Sequence, residues 1–157
     1  MTSASDPANP LLLSPRLPAS AAAPVRWSGL DGAAAGLAIA EAAALGRPLI
    51  VVTPTPRVAE TLAGEVAFFA GARATVAAFP DLETLPYDNF SAHPDITSAR
   101  LRTLATLPRA RAGVWIAAID TLLQRLAPRS YIEAHSLRVG VGEDLDVEAL
   151  RAQLTAA

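Results

Sequence analysis

Residues 113–119, GVWIAAI, constrain the fold of this chain more than any other segment. With no polar side chain in the run, a strand built from it must be covered on both faces, as in the centre of a parallel sheet. A second β-branched run, LIVVT, follows Pro48. It is introduced by an alanine-rich segment, residues 32–45, whose pattern is helical and which Gly46 ends as a C′ residue. The chain therefore starts by feeding a helix into a buried strand.

The alternation continues. Val58, Leu62, Val66 and Phe69 recur at spacings of four, four and three, which predicts a helix over residues 56–70 with these four on its buried side. Gly71 closes that helix, and residues 73–79 read as a second strand. After an irregular loop, a helix over residues 96–107 is expected to bury Ile96, Leu104 and Leu107. Asp120 is expected to cap a short helix running to Leu126, and residues 135–141 form another candidate strand. Asp146 is then read as the cap of a last helix, with Val147, Leu150 and Leu154 on one side. Strands separated by helices imply βαβ crossovers, and hence an α/β fold with a mostly parallel sheet and flanking helices.

The 157 residues are of single-domain size, and 52% are hydrophobic. No apolar run approaches the length needed to span a bilayer. Residues 1–24, rich in Ala, Pro and Ser, read as a mobile tail; without a basic segment ahead of Leu11, they do not resemble a secretory signal, and a cytoplasmic address is expected. Cysteine is absent, which removes disulfides and thiolate metal sites. All 13 basic residues are arginine, so no lysine is available to hold a phosphate or form a Schiff base. A net charge of −2, with arginines scattered singly along the sequence, gives little support for autonomous DNA binding.

Residues 79–104, FPDLETLPYDNFSAHPDITSARLRTL, follow no secondary-structure period. A long aperiodic loop carrying several aromatic and aliphatic anchors is expected to be ordered and functional. The stretch closely resembles a phrase of the bacterial transcription-repair coupling factor family, F-x-D-x-E-T-L-P-Y-D-x-F-S-x-H-x-D-I-x-S-x-R-L. The resemblance extends to LDGAAAGLAIAEAAALGRPLIVVTPT upstream and GVWIAAIDTLLQRLAPRSYI downstream, and so covers roughly residues 26–157.

The resemblance implies a RecA-like domain related to the first helicase domain of the excision-repair protein UvrB. It divides the chain into the tail (1–24), that domain (25–141) and the start of a following domain (142–157). It further implies that the whole family protein displaces stalled RNA polymerase from damaged DNA by ATP-driven translocation and recruits UvrA. Its partners would be UvrA, RNA polymerase, DNA and the other domains of the same protein, with no membrane. ATP and Mg would be cofactors of the full-length protein, with none in this segment.

Nucleotide chemistry here would need a phosphate loop, G-x-x-x-x-G-K-[ST], at the turn before the first helix. Counted from Gly32, the second glycine position holds Leu37, the lysine position Ala38 and the hydroxyl position Ile39, and Asp31 stands at the mouth. The expected reading is a nucleotide-binding fold with a degenerate site. No catalytic residue is assigned. In the loop, Asp81, Glu83, Asp88, His93 and Asp95 suit a metal by ligand type but not by spacing, and Ser91 with His93 lacks a nucleophile elbow.

The favoured use of the loop is packing or recognition. Phe79, Leu82, Leu85, Tyr87 and Phe90 would be anchors, with Leu85, Tyr87 and Phe90 inserted against the sheet or neighbouring helices, and Arg100 and Arg102 would either pair with nearby carboxylates or meet a phosphate backbone. The alternatives are an independent metal-assisted hydrolase and a UvrB-like DNA-binding module.

Overall fold

The computed structural model describes residues 15, 17–18, 23–84, 89–134, 136, 141–142 and 144–156. Helix α1 (Ala34–Ala43) leads into strand β1 (Pro48–Thr53). Helix α2 (Pro56–Ala70) then crosses to β2 (Val76–Phe79), and α3 (Pro94–Thr106) to β3 (Gly113–Ala118). Three further helices, α4 (Ile119–Leu123), α5 (Arg129–Ala134) and α6 (Val147–Ala156), complete the order. The three strands form one parallel sheet in the order β1-β3-β2. This is the α/β, parallel-sheet architecture that the alternation predicts.

Residues 113–118 hold the centre, and every residue of β3 is buried. Ile119 instead opens α4 and is exposed, and β1, expected to be a buried strand, lies at the sheet edge with Ile50 and Val52 exposed. Leu49 pairs with Val114 and Val51 with Ile116 in register, while Val76 flanks Val114 from the other neighbour. Alternation turns these side chains to one face, where α1 and α2 meet them. There, Ala40, Ala43, Ala59, Val66 and Ala70 join Val114 and Ile116 in the core. Val66, Val114 and Ile116 are fully buried, each contributing about 1.5–3 kcal/mol. The opposite face carries Trp115, Ala77 and Phe79, against which α3 lies.

Two glycines are set by close approach. A Cβ on Gly36, inside α1, would lie 2.7 Å from Glu65 Cβ on α2, so the absent side chain is what lets the two helices touch. Gly113 has φ +126°, and a Cβ there would meet the Trp115 ring at 2.9 Å.

Several expectations are corrected. Val58 is exposed, and Ala59 takes its place in the core. Eight residues before Val66 is about 80° away around the helix, whereas seven is only about 20°. Strand β2 starts at Val76, because residues 71–73 form a 3-10 turn that uses Arg73 elsewhere. On α3 the buried residues are Arg100 and Thr103, with Ile96, Leu104 and Leu107 half-buried. Asp120 is exposed in the first turn of α4; Ala118 is the N-cap without a side-chain hydrogen bond, and the helix ends at Leu123. Helix α5, bonded Arg129 to Glu133 at 2.9 Å, was not anticipated. The candidate strand at 135–141 falls largely outside the described residues.

Asp146 does cap α6: its Oδ1 accepts from the N–H groups of Glu148 and Ala149, each at 3.0 Å. Among the described residues no helix is long and apolar enough to cross a membrane.

Candidate functional site

In a parallel sheet all strands deliver their C-terminal ends to one edge, the usual place for function in open α/β folds. Here that edge gathers Thr53, the segment after Phe79, and the start of α4. Thr53 Oγ1 is 3.1 Å from the Thr55 carbonyl and 3.4 Å from that of Ala117. Thr55 caps α2 by accepting from Val58 N–H at 3.3 Å.

The segment following β2 is organised by Asp81. Its Oδ1 accepts from Gln124 Nε2 at 2.6 Å and from the Thr121 hydroxyl at 3.1 Å, and its Oδ2 accepts from Glu83 N–H at 3.1 Å. Glu83 takes φ +59°, a left-handed conformation uncommon outside glycine, which brings its N–H back to the carboxylate. Arg100 completes the arrangement: Nη1 donates to the Pro80 carbonyl at 2.6 Å and the guanidinium lies 4.3 Å from the centre of the Phe79 ring.

Burial alone would raise the Asp81 pKa. The Glu83, Thr121 and Gln124 hydrogen bonds and the Arg100 charge outweigh it and hold the carboxyl below its ordinary value. Burial pushes Arg100 down against the opposing pull of Asp81, and a guanidinium remains charged at neutral pH regardless. Gln124 Oε1 is buried without a hydrogen-bond partner among the described residues.

The expected loop residues thus divide. Phe79, Asp81, Glu83 and Arg100 come together. His93 instead caps α3, its Nδ1 accepting from Asp95 N–H at 3.3 Å, with Pro94 in the first helical position. The insertion expected of Phe90 is corrected, since that side chain is 82% exposed. Leu85, Tyr87 and Asp88 lie outside the described residues. Among those described, no three His, Asp or Glu side chains converge to hold a metal; the Asp81 oxygens are already engaged by protein donors.

Sequence reasoning missed Thr121 and Gln124, 40 and 43 residues from their partner. It also missed Glu41, a buried acid on α1 that accepts from Arg73. A visible signal did exist for Gly36, because glycine inside a helix pattern marks close packing.

The turn before α1 is also built differently from a phosphate cradle. Gly32 has φ +55° with open space around it. Ala38 is buried and Ile39 packs on the core, so the positions that would carry a lysine and a hydroxyl face the protein interior. Beside them, Gly32, Ala35, Arg57, Thr61 and Glu65 line a cleft of about 370 Å³. A carboxylate therefore borders the place where phosphate would need donors.

No family model matches the chain. It is similar to the transcription-repair-coupling factor of Escherichia coli (strain K12), with 40% identity over 129 residues, and to that of Haemophilus influenzae, with 41% over 129; each alignment covers 82% of this chain. The transcription-repair-coupling factor of Myxococcus xanthus is 32% identical over 137 residues, 83% of the chain. In each case the chain spans only 11% of the relative's length.

Proposed function

The chain belongs with the transcription-repair-coupling factors, as a segment homologous to 11% of their length, and we propose that it serves as a non-catalytic, UvrB-like module of such a protein. The whole protein would displace RNA polymerase stalled on damaged DNA by ATP-driven translocation and recruit UvrA for excision repair, in the cytoplasm. ATP and Mg would be bound by other parts of the polypeptide. Residues 25–141 would form the module proper, after a tail at 1–24, and residues 142–157 would open the next domain.

The observation carrying this reading is the 40% identity over 129 residues with a coupling factor. The absence of lysine and the inward placement of Ala38 and Ile39 support the non-catalytic role, because phosphoryl transfer draws its charge stabilisation from lysine and metal. The module's contribution is to present surfaces to its neighbours, with the Asp81 network holding residues 80–83 just after β2.

Two measurements test it. In cells lacking their own coupling factor, a gene product containing this segment should restore preferential repair of transcribed strands, and deletion of the segment should remove that effect while sparing ATP hydrolysis. Isothermal titration of the 157-residue chain with Mg-ATP should show no binding tighter than about millimolar; micromolar binding would overturn the non-catalytic assignment.

A further inference from the structure

The edge of the sheet opposite the Asp81 network has its own character. Arg47 immediately precedes β1, Arg73 lies just ahead of β2, and Arg109 and Arg111 lie just ahead of β3. A parallel sheet brings all three strand starts to one edge, and α3, running back from the other edge, adds Arg102 near its C-terminal end. Of these five, Arg73 is committed to Glu41. Arg47, Arg102, Arg109 and Arg111 form no ion pair among the described residues. Asp81, Glu83, Asp95 and Asp120 lie at the other edge, together with Arg57 and Arg100. Arginines that are dispersed in sequence are thus collected in space.

Two of the unpaired arginines border a cavity. Arg102 and Arg109, with Thr75, Thr106, Ala77 and Trp115, line a space of about 380 Å³ between α3 and the sheet, within the size range of small-molecule sites. Trp115 is only 6% exposed, and its ring is pressed onto Gly113. Its indole N–H has no hydrogen-bond partner among the described residues. The Thr106 hydroxyl is spent on backbone carbonyls of its own helix, at 2.8 Å to Arg102 and 3.2 Å to Thr103. The cavity therefore has an apolar floor of alanines and indole, and its cationic donors are the two guanidiniums.

We propose that this cavity is a binding site for a phosphomonoester carried on a planar or apolar group, with Arg102 and Arg109 on the phosphate and the Ala77–Trp115 floor beneath the remainder. A phosphate dianion accepts from two forks approaching from different directions, as arginines on separate elements require. The unpaired Arg47 and Arg111 on the same edge add to the attractive field. The site is distinct from the cleft beside Gly32, where Glu65 stands. Such a group occurs on a free mononucleotide and on the phosphorylated end of a nucleic-acid strand.

The test follows the two tryptophan indole signals in proton–nitrogen correlation spectra of the 157-residue chain, assigned with Trp27→Phe, during titration with phenyl phosphate. The Trp115 signal should shift saturably while that of Trp27 stays fixed, and adenosine monophosphate should compete. Arg102→Gln and Arg109→Gln should each weaken binding about tenfold or more, Arg109→Lys less, with unchanged thermal midpoints. A 5′-phosphorylated trinucleotide that binds as well as the mononucleotide supports the site and identifies a strand end as the source. One that binds worse supports it with the free small molecule as the source. The proposal is overturned by no saturable shift up to about 10 mM phenyl phosphate, or by binding that survives the double Arg→Gln substitution. It is equally overturned if these substitutions lower the thermal midpoint and leave binding intact, since the arginines would then serve only the C-terminal end of α3.

Discussion

Arg73, in the turn after α2, places both Nη1 and Nη2 3.0 Å from a single oxygen of Glu41 on α1, and a third bond of 2.7 Å runs from Nη2 to the Phe69 carbonyl. The Glu41 side chain is 5% exposed and that of Arg73 40%. One cation therefore satisfies a buried acid and ties α1 to the far end of α2. Arg73→Gln should destabilise the chain by about 3 kcal/mol, because it leaves Glu41 buried without its partner, and the half-open setting of Arg73 keeps the loss at the low end for such pairs. Urea titration measures this. The Glu41→Ala, Arg73→Ala double variant should lose less than the sum of the singles, and strict additivity would mean that the pair is uncoupled.

Asp81 predicts an acid limb. Its folded pKa lies below the ordinary value of 3.8, so the unfolded chain takes up the proton more readily. The stability contributed by the Asp81 network is fully present above that ordinary value and is lost as pH falls through the folded pKa. Asp81→Asn has no carboxyl to titrate at this position. The advantage of the parent over this variant should accordingly be constant above about pH 5 and shrink below about pH 4. Denaturant midpoints for both proteins across that range decide the matter; a difference that does not vary with pH would detach Asp81 from the network.

Gly36→Ala should destabilise although alanine is the better helix former by about 1 kcal/mol. The new Cβ would stand 2.7 Å from Glu65 Cβ, so α1 and α2 must separate, and overpacking of this kind typically costs about 1–3 kcal/mol. A thermal midpoint equal to or above that of the parent would show that the two helices part without loss.

For Phe90 the expected outcome is little change. An 82% exposed ring contributes little to the isolated chain, and Phe90→Ala should alter stability by no more than about 0.5 kcal/mol. Calorimetry on parent and variant provides the comparison. A drop of several kcal/mol would mean that the ring is buried in solution.

The alternation of α1 to β3, the parallel sheet and its central strand were legible in the sequence, whereas α5 was not. Residues 113–118 were legible as a strand covered on both faces, β1 from its β-branched run after Pro48, and the Asp146 cap from its position ahead of an apolar repeat. These are local properties, set by side-chain shape, periodicity and hydrogen-bonding groups a few residues apart. Tertiary structure alone decided that Asp81 would meet Thr121 and Gln124, that Glu41 would meet Arg73, that Ala59 would displace Val58 from the core, and that Phe90 would face solvent. Each depends on the angle and distance at which distant elements pack, for which no local pattern exists. The collected arginines lie between the two cases: Arg47, Arg73, Arg109 and Arg111 each stand a few residues before a strand and could be read as such, but only parallel pairing in the order β1-β3-β2, with α3 running back to bring Arg102, turns separate positions along the chain into one cationic edge.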